Sequence, residues 1–528
     1  MWLSLTFVLI FAFILYKLYY APTNRSYWKK FGVPEVDATS IVSELDILLG
    51  RRDITERDDF IYETMDKFCG MAENPIPVVL IKDLDLVKKI LVKDFDHFID
   101  RRLFFGAARE DSVLRKMLGN LRGEEWKGVR ASVSPTFSTG KIRRMMECIN
   151  GVGKHWVSTL KCKSNQSPSG SVKINLNNSV SSYTADVIAD AIFGLKAGTV
   201  ENPDSPFSTM AHRLTNMTPF QIIKFTLSYR LPKLFQFFDI DLLDMEALRF
   251  FEKILQANLK DRMNGKETRN DFLQLLVEAR NGELKAVGSD ELDEFEKEAQ
   301  LEIPKLGKRQ YLTEKIMSGQ MMSFFFAGFR TTSGFLTFCV YALALHPDVQ
   351  ERLRKEVDTI ANKEDGTIDY DDLGQLEYME MFICEVLRKF PATLRLERIC
   401  MADYHDPETG LFVPKGAIVG IPLKSIHHDK RYYENPERFD PEHFRPEIKA
   451  KRSPFAFMPF GKGPRSCVAM RFGIVESKAA ISHLLHTFLI EPTKKTPIPL
   501  TGRRVTFQIT PPADLEVKLI PRKHINEQ

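Results

Sequence analysis

A cysteine behind a glycine-rich loop is the residue of this chain best suited to chemistry. Residues 460–473 read Phe460-Gly461-Lys462-Gly463-Pro464-Arg465-Ser466-Cys467-Val468-Ala469-Met470-Arg471-Phe472-Gly473. Apolar Met470, Phe472 and Val475 predict a helix that opens just after Cys467. A helix N-terminus and a nearby cation both favour thiolate over thiol. A thiolate held this way suits the axial position of a haem iron, where its electron push favours O–O cleavage. Phe460 would cover the sulfur from water, and Gly463 would let the backbone turn tightly beneath a porphyrin. Arg465 would neutralise a haem propionate, and small Ala469 would let the helix approach closely. A buried free cysteine beside a surface loop is the plainer reading of a lone Cys. It is the poorer reading of Phe-x-x-Gly-x-Arg-x-Cys-x-Ala, which occurs once here.

The run resembles the haem-binding signature of the cytochrome P-450 haem-thiolate monooxygenases, with Ala469 where that signature usually has Gly. The resemblance extends over residues 36–520 and is strongest to the animal microsomal branch, which holds vertebrate drug-metabolising and insect detoxifying enzymes. It implies roles for further residues. Trp126 and Arg130 are four apart on a predicted helix, hence on one face, and would reach one propionate together. Arg101 would add a contact. Arg398, in Arg395-Leu396-Glu397-Arg398, would meet the second propionate, with Ala392–Leu396 lining the substrate cavity. Apart from the resemblance, Trp126 reads as a ring packed under an arginine stem, and Arg395 and Arg398 as solvated charges.

Glu385-Val386-Leu387-Arg388 matches the family's Glu-x-x-Arg, a spacing that recurs at Glu246/Arg249, Glu351/Arg354 and Glu442/Arg445. A helix stopped by Pro391, upstream of the cysteine loop, selects Glu385 and Arg388 as the structural ion pair. His443, in Pro441-Glu442-His443-Phe444, stands where the family has an arginine; it would complete the network with a pH-dependent charge.

Helical periodicity over Met317–His346 carries Phe324-Phe325-Phe326-Ala327-Gly328-Phe329-Arg330-Thr331-Thr332. A glycine inside a helix costs about 1 kcal/mol relative to alanine, which is tolerable where backbone must make room for a ligand. The resemblance implies that Ala327 and Gly328 lie against the haem. It also makes Thr331 the hydroxyl that helps bind oxygen and relay protons. The family's acid before this threonine is Arg330 here. A guanidinium keeps its protons near neutral pH and relays them poorly. Two outcomes are open: weak coupling of NADPH use to product, or an Arg330 turned away from the iron or engaged with an anionic substrate group.

The elements that must position these residues read as mainly α with small β-sheets. A strand at Val78–Ile81 precedes a helix within Pro75–Val92, and weak strand patterns return at 411–421 and 502–520. The length of 528 residues would allow two or three domains, but no composition break divides the chain. The polar stretches 162–172 and 281–310 read as surface loops. A net charge of +4 does not imply nucleic acid. Seven cysteines without a Cys-x-x-Cys pair argue against zinc, a disulfide scaffold and covalent haem attachment, and fit a reducing compartment. No Gly-x-Gly-x-x-Gly fingerprint is present, consistent with an external electron donor.

Residues 2–16 carry no charge and, with Leu18, Tyr19 and Tyr20, approach the ~20 residues of a membrane span. Lys17, Arg25, Lys29 and Lys30 follow the span, which puts the body of the chain in the cytosol. The competing signal peptide would need a basic n-region and a small-residue cleavage site, and an Arg-rich mitochondrial presequence is not present. Residues 219–238 are apolar enough to dip into a bilayer or to form a core helix pair. Lys127, Lys141, Arg143, Arg144 and Lys462 would form either a basic face for an acidic donor or plain solvated surface.

The expected organisation is a transmembrane anchor at 1–20, a linker at 21–35, a cytochrome P-450 fold at 36–522 and a tail at 523–528. The resemblance implies non-covalent haem b and location in the endoplasmic reticulum membrane. NADPH electrons would arrive through NADPH–cytochrome P-450 reductase, with cytochrome b5 a further partner, and the substrate would be an apolar small molecule. Steroid, fatty acid, terpenoid and foreign compound all fit. The alternatives are a hydroperoxide-rearranging isomerase that needs no reductase and a low-turnover haem- or ligand-binding protein.

Overall fold

The helix Glu314–Leu345 is apolar on nearly every side, and a helix of that kind must be buried. It packs against the Leu176–Phe193, Met245–Met263 and Met470–Thr487 helices in the computed structural model. That model describes residues 27–36, 54–73, 76–106, 108–216, 218–284, 311–361, 366–499, 503–505 and 508–522. The expected anchor (1–20), residues 21–26 of the linker and the tail (523–528) lie outside these residues. Among the described residues no helix is long and apolar enough to cross a membrane. The central helix starts one turn earlier than its periodicity predicts, because the Thr313 side chain caps it by accepting from the Ile316 N–H. It ends where Pro347 forbids continuation.

The strand predicted at Val78–Ile81 is Ile76–Ile81, followed by the helix Leu84–Lys88. It is one of four strands in the order Phe68–Glu73, Ile76–Ile81, Ile418–Ile421, Leu396–Ile399. The inner pair runs parallel and the outer pairs antiparallel, and Arg398 on the edge strand stands opposite Val419. The 411–421 pattern divides into Leu411–Val413 and Ile418–Ile421, because a turn with Gly416 at φ +86° intervenes. The 502–520 pattern divides into Arg503–Val505, Gln508–Thr510 and Glu516–Pro521. The last of these pairs with Phe488–Pro492 and Val172–Asn175, strands too short to show in local sequence. One hydrophobic cluster fills the helical part, and a smaller one surrounds the four-stranded sheet.

Behind the cysteine loop, Glu385 and Arg388 are fully buried and joined twice at 2.7 Å. Arg388 also donates to the His427 and Arg438 carbonyls, at 3.0 and 3.2 Å. His443 Nδ1 lies 3.3 Å from the Glu385 carboxylate and Nε2 lies 2.6 Å from Glu434 O. Burial alone would raise the Glu385 carboxyl; Arg388 and His443 outweigh it and hold the carboxyl below its ordinary value. Glu351 and Arg354, with the same spacing, pair at the surface instead.

Glu476 on the Met470–Thr487 helix is 1% exposed, and its Oε1 has no hydrogen-bond partner among the described residues. Burial pushes this carboxyl up to about 8. The unfolded chain ionises the same group near about 4.3. Between those values the folded state binds more protons, so stability falls as pH rises, by on the order of 1.4 kcal/mol per pH unit. Glu476→Gln should therefore match the parent protein in Tm at pH 4.5 and exceed it at pH 8. Calorimetry that finds the same difference at both pH values would refute a buried neutral Glu476.

Candidate functional site

The cysteine loop closes on itself. Cys467 N donates to Phe460 O at 2.9 Å, and Ser466 N to Gly463 O at 2.8 Å. Gly461 and Gly463 sit at φ +75° and +72°. A Cβ on Gly463 would lie 2.1 Å from the Leu91 carbonyl oxygen. The glycine is thus demanded by the neighbouring chain at Leu91 as well as by the turn, a cause the local sequence does not carry. The helix begins at Met470, with Ala469 at its N-cap. Burial pushes the Cys467 thiol up, while the Ala469 N–H, Arg130 and Arg101 pull it back without cancelling that rise. Helix and cations alone therefore do not deliver the expected thiolate. Cys467 is nonetheless exposed, on the wall of a cavity of about 830 Å³ that Phe460 and Arg130 also line.

Four arginines converge beside this loop. Arg130, from the Gly123–Val133 helix, donates to Ser466 O at 2.9 Å. Arg101 donates to Arg465 O. Arg465 lies over the Trp126 ring, 3.9 Å from its centroid, and donates to the Ile99 and Leu121 carbonyls at 2.9 Å each. Arg398 is 1% exposed and donates to the Glu397 carbonyl. Its Nε and Nη2, and Arg101 Nε, are buried with no hydrogen-bond partner among the described residues. The acid beside the cluster is Asp100, 3.5 Å from Arg465 Nη2, and no acid pairs with Arg101 or Arg398 among the described residues. Burial and mutual repulsion push Arg101, Arg398 and Arg465 below the ordinary guanidinium value.

Two expectations change here. Arg465 is occupied largely by backbone carbonyls, so the donors left for an anion belong to Arg398 and Arg101. Arg395 is not a solvated charge: it is buried against Asp58, Glu73 and Glu397. Asp100, which no motif singled out, is the local counter-charge. Its only sequence signal is its place directly before Arg101.

On the central helix Ala327 is exposed although Phe325 and Phe329 on either side are buried. The Thr331 hydroxyl donates to the Ala327 carbonyl. Gly328 does not face the same way: a Cβ there would lie 3.0 Å from Ile188 Cδ1. Its missing side chain lets two helices approach, which corrects the expectation that it makes room for a cofactor. Arg330 turns to Asn216, just past the Pro206–Thr215 helix.

The remaining surface features also resolve. Lys127 pairs with Asp96 and Glu124, Lys141 with Glu278, and Arg143 with Asp371, so acids neutralise much of the expected basic face. Residues 219–238 form the helices Pro219–Arg230 and Pro232–Phe237. Phe220, Phe237 and Phe238 are exposed, at 68%, 82% and 64%, so this is not a fully buried core pair.

A rigid ligand with two carboxylates fits this charge, and a haem presents just such a pair beside the metal a cysteine can hold. A charge-assisted hydrogen bond contributes roughly 1.5–3 kcal/mol. Arg398→Leu should therefore speed haem loss about 10-fold or more, read as haem transfer to excess apomyoglobin. An unchanged rate would remove Arg398 from the site.

Comparison with known proteins agrees with this chemistry. The profile of the family described as Cytochrome P450 matches residues 47–517. Cytochrome P450 9e2 of Blattella germanica is 30% identical over 522 residues, covering 96% of this chain and 95% of that protein. Cytochrome P450 3A9 of Rattus norvegicus is 32% identical over 504 residues, covering 94% and 92%. With the cysteine loop inside the matched region and likeness along nearly its whole length, this chain belongs to the cytochrome P450 family of monooxygenases.

Proposed function

We propose that the chain is a membrane-anchored monooxygenase of the endoplasmic reticulum that holds haem b through Cys467. It inserts one oxygen atom of O2 into an apolar small molecule. Its electrons come from NADPH through NADPH–cytochrome P-450 reductase, with cytochrome b5 as a further donor. The observation that carries this reading is the set of buried, unpartnered guanidinium N–H groups of Arg398 and Arg101 beside the cysteine loop.

Bound haem supplies the redox chemistry of oxygen activation. The protein supplies position and protons. Arg398 and Arg101 would donate to the propionates, and Trp126 keeps Arg465 in place from below. Arg130 fixes the Ser466 carbonyl, and with it the backbone that carries the sulfur. Phe460 limits water at the sulfur. The Thr331 hydroxyl rests as a donor to the Ala327 carbonyl and would turn from it to donate to a bound ligand, keeping its proton. The uncharged run 2–16 and the exposed Phe220, Phe237 and Phe238 support attachment to a bilayer. The division proposed is an anchor at 1–20, a linker at 21–35, a catalytic unit at 36–522 and a tail at 523–528.

One observation favours a second reading. Arg330 offers no titrating relay beside Thr331, and an enzyme that rearranges hydroperoxides needs none, since its substrate already holds the O–O bond.

The reduced, CO-bound protein should show the red-shifted band of thiolate-ligated haem, and Cys467→Ser should abolish it. A band that survives this change would sink the assignment. Product that depends on NADPH and reductase supports the monooxygenase, whereas product from an organic hydroperoxide alone supports the isomerase. Deleting residues 2–20 should shift the protein from tight membrane attachment to detergent-reversible binding, with haem retained. Unchanged attachment in a fractionation assay would contradict the anchor.

A further inference from the structure

Arg330 is a half-buried cation without an acid among the described residues. It sits one residue before Thr331, and Ala327 lies between the two on the helix surface, three residues before Arg330 and four before Thr331. Its one side-chain hydrogen bond goes from Nη1 to the neutral Asn216 carbonyl oxygen, and no carboxylate pairs with it among the described residues. Its Nε and Nη2 have no acceptor among the described residues, yet they are absent from the sealed, unpartnered buried atoms, so they reach accessible space. Burial lowers its pKa, a penalty that nothing nearby offsets. His212, one turn before Asn216, has its own pKa lowered first by burial and then by the charge of Arg330.

Three buried arginines of this chain are matched by acids. Arg262 meets Asp271 at 2.8 Å, Arg388 meets Glu385 at 2.7 Å, and Arg395 meets Glu73 and Glu397 at 2.7 Å each. Arg330 therefore resembles Arg398 and Arg101, whose donors are assigned to an anionic ligand, more than it resembles the structural set.

The side-chain neighbours of Arg330 are the polar Asn216 and His212, and an aromatic cluster begins one turn earlier on its helix. Phe326, one turn earlier on the helix, has its ring 6.0 Å from Phe105, which lies 5.6 Å from Phe225. Phe225 in turn lies 5.0 Å from Phe104. One cation beside an aromatic wall selects for an ion with a long apolar body.

We propose that Arg330 is a specificity-determining residue that binds the carboxylate of an amphipathic acid substrate, with partly exposed Phe326, backed by the buried rings of Phe105 and Phe225, meeting its apolar part. This deepens the monooxygenase reading and rests on it, since it places substrate beside Ala327, to whose carbonyl Thr331 donates. A guanidinium takes a carboxylate through two parallel N–H···O bonds, and the accessible Nε and Nη2 lie on one edge of the fork. The neutral Asn216 acceptor yields to a carboxylate more readily than an acid partner would.

The test uses the full-length holoenzyme in detergent. Equilibrium dialysis measures binding of labelled dodecanoate and of its methyl ester, which share a chain and differ in charge. The parent protein should bind the acid about 10-fold tighter than the ester. Arg330→Leu should remove that preference by weakening the acid alone. Arg330→Lys, which keeps the charge and loses the fork, should retain part of it. Arg330→Glu should bind the acid more weakly than the ester. Equal binding of acid and ester by the parent protein, or a preference that survives Arg330→Leu, overturns the proposal. The CO spectrum of each variant separates this failure from failure of the haem assignment: a variant with the thiolate band intact and no loss of acid preference rejects the role of Arg330 and leaves Cys467 untouched.

Discussion

Buried positive charge without matching acid is the constraint around which the rest of this molecule is organised. Removing a guanidinium from water costs several kcal/mol unless an anion and hydrogen bonds replace the solvent. Most buried arginines here meet that condition within the chain, as Arg388 does with Glu385 and Arg395 with Asp58, Glu73 and Glu397. Arg101, Arg398 and Arg465 do not, since Asp100 alone stands beside them. The elements that carry them are otherwise remote in sequence. Arg398 lies on the edge strand Leu396–Ile399, and Arg465 lies in the loop before the Met470–Thr487 helix. Packing brings them together with Trp126 beneath, and the excess charge they share defines a ligand with two negative groups.

The sulfur depends on the same arrangement. Its backbone is held by Arg130 through Ser466 O and by the Phe460 carbonyl through its own N–H. Burial still holds the thiol above its ordinary value, so the helix and the arginines position the sulfur, and a metal held there would complete its ionisation. Behind the loop, the Glu385–Arg388 pair ties the Glu377–Lys389 helix to the His427, Arg438 and Asp440 backbone. That pair contributes position rather than net stability, since burying both charges offsets most of their attraction.

Much of this was legible in residue order. The loop around Cys467, the helix after it, the long central helix and the strand before Leu84 each follow from local pattern, because their causes lie within a few residues. Other features have distant causes. Gly463 answers to the Leu91 carbonyl and Gly328 to Ile188, so each glycine could be marked as special without the reason being visible. Arg465 carried the expected charge, but the carbonyls of Ile99 and Leu121 that occupy it are set by tertiary packing. The small strands at 172–175, 396–399 and 488–492 pair across long sequence separations and carry little periodicity of their own. Arg330 was conspicuous by residue type, while its pairing with neutral Asn216 and with no acid among the described residues became visible only in the fold.

The central claim is that the arginine cluster requires a ligand with two carboxylates. It is tested most directly by reconstituting the full-length protein with haem and, separately, with haem dimethyl ester, whose propionates carry no charge. Melting temperature is then measured for both. The account predicts that haem stabilises the protein substantially and that the ester, with the same iron and ring, stabilises it far less. Equal melting temperatures would show that the buried guanidinium groups do not depend on the propionates and would contradict the account.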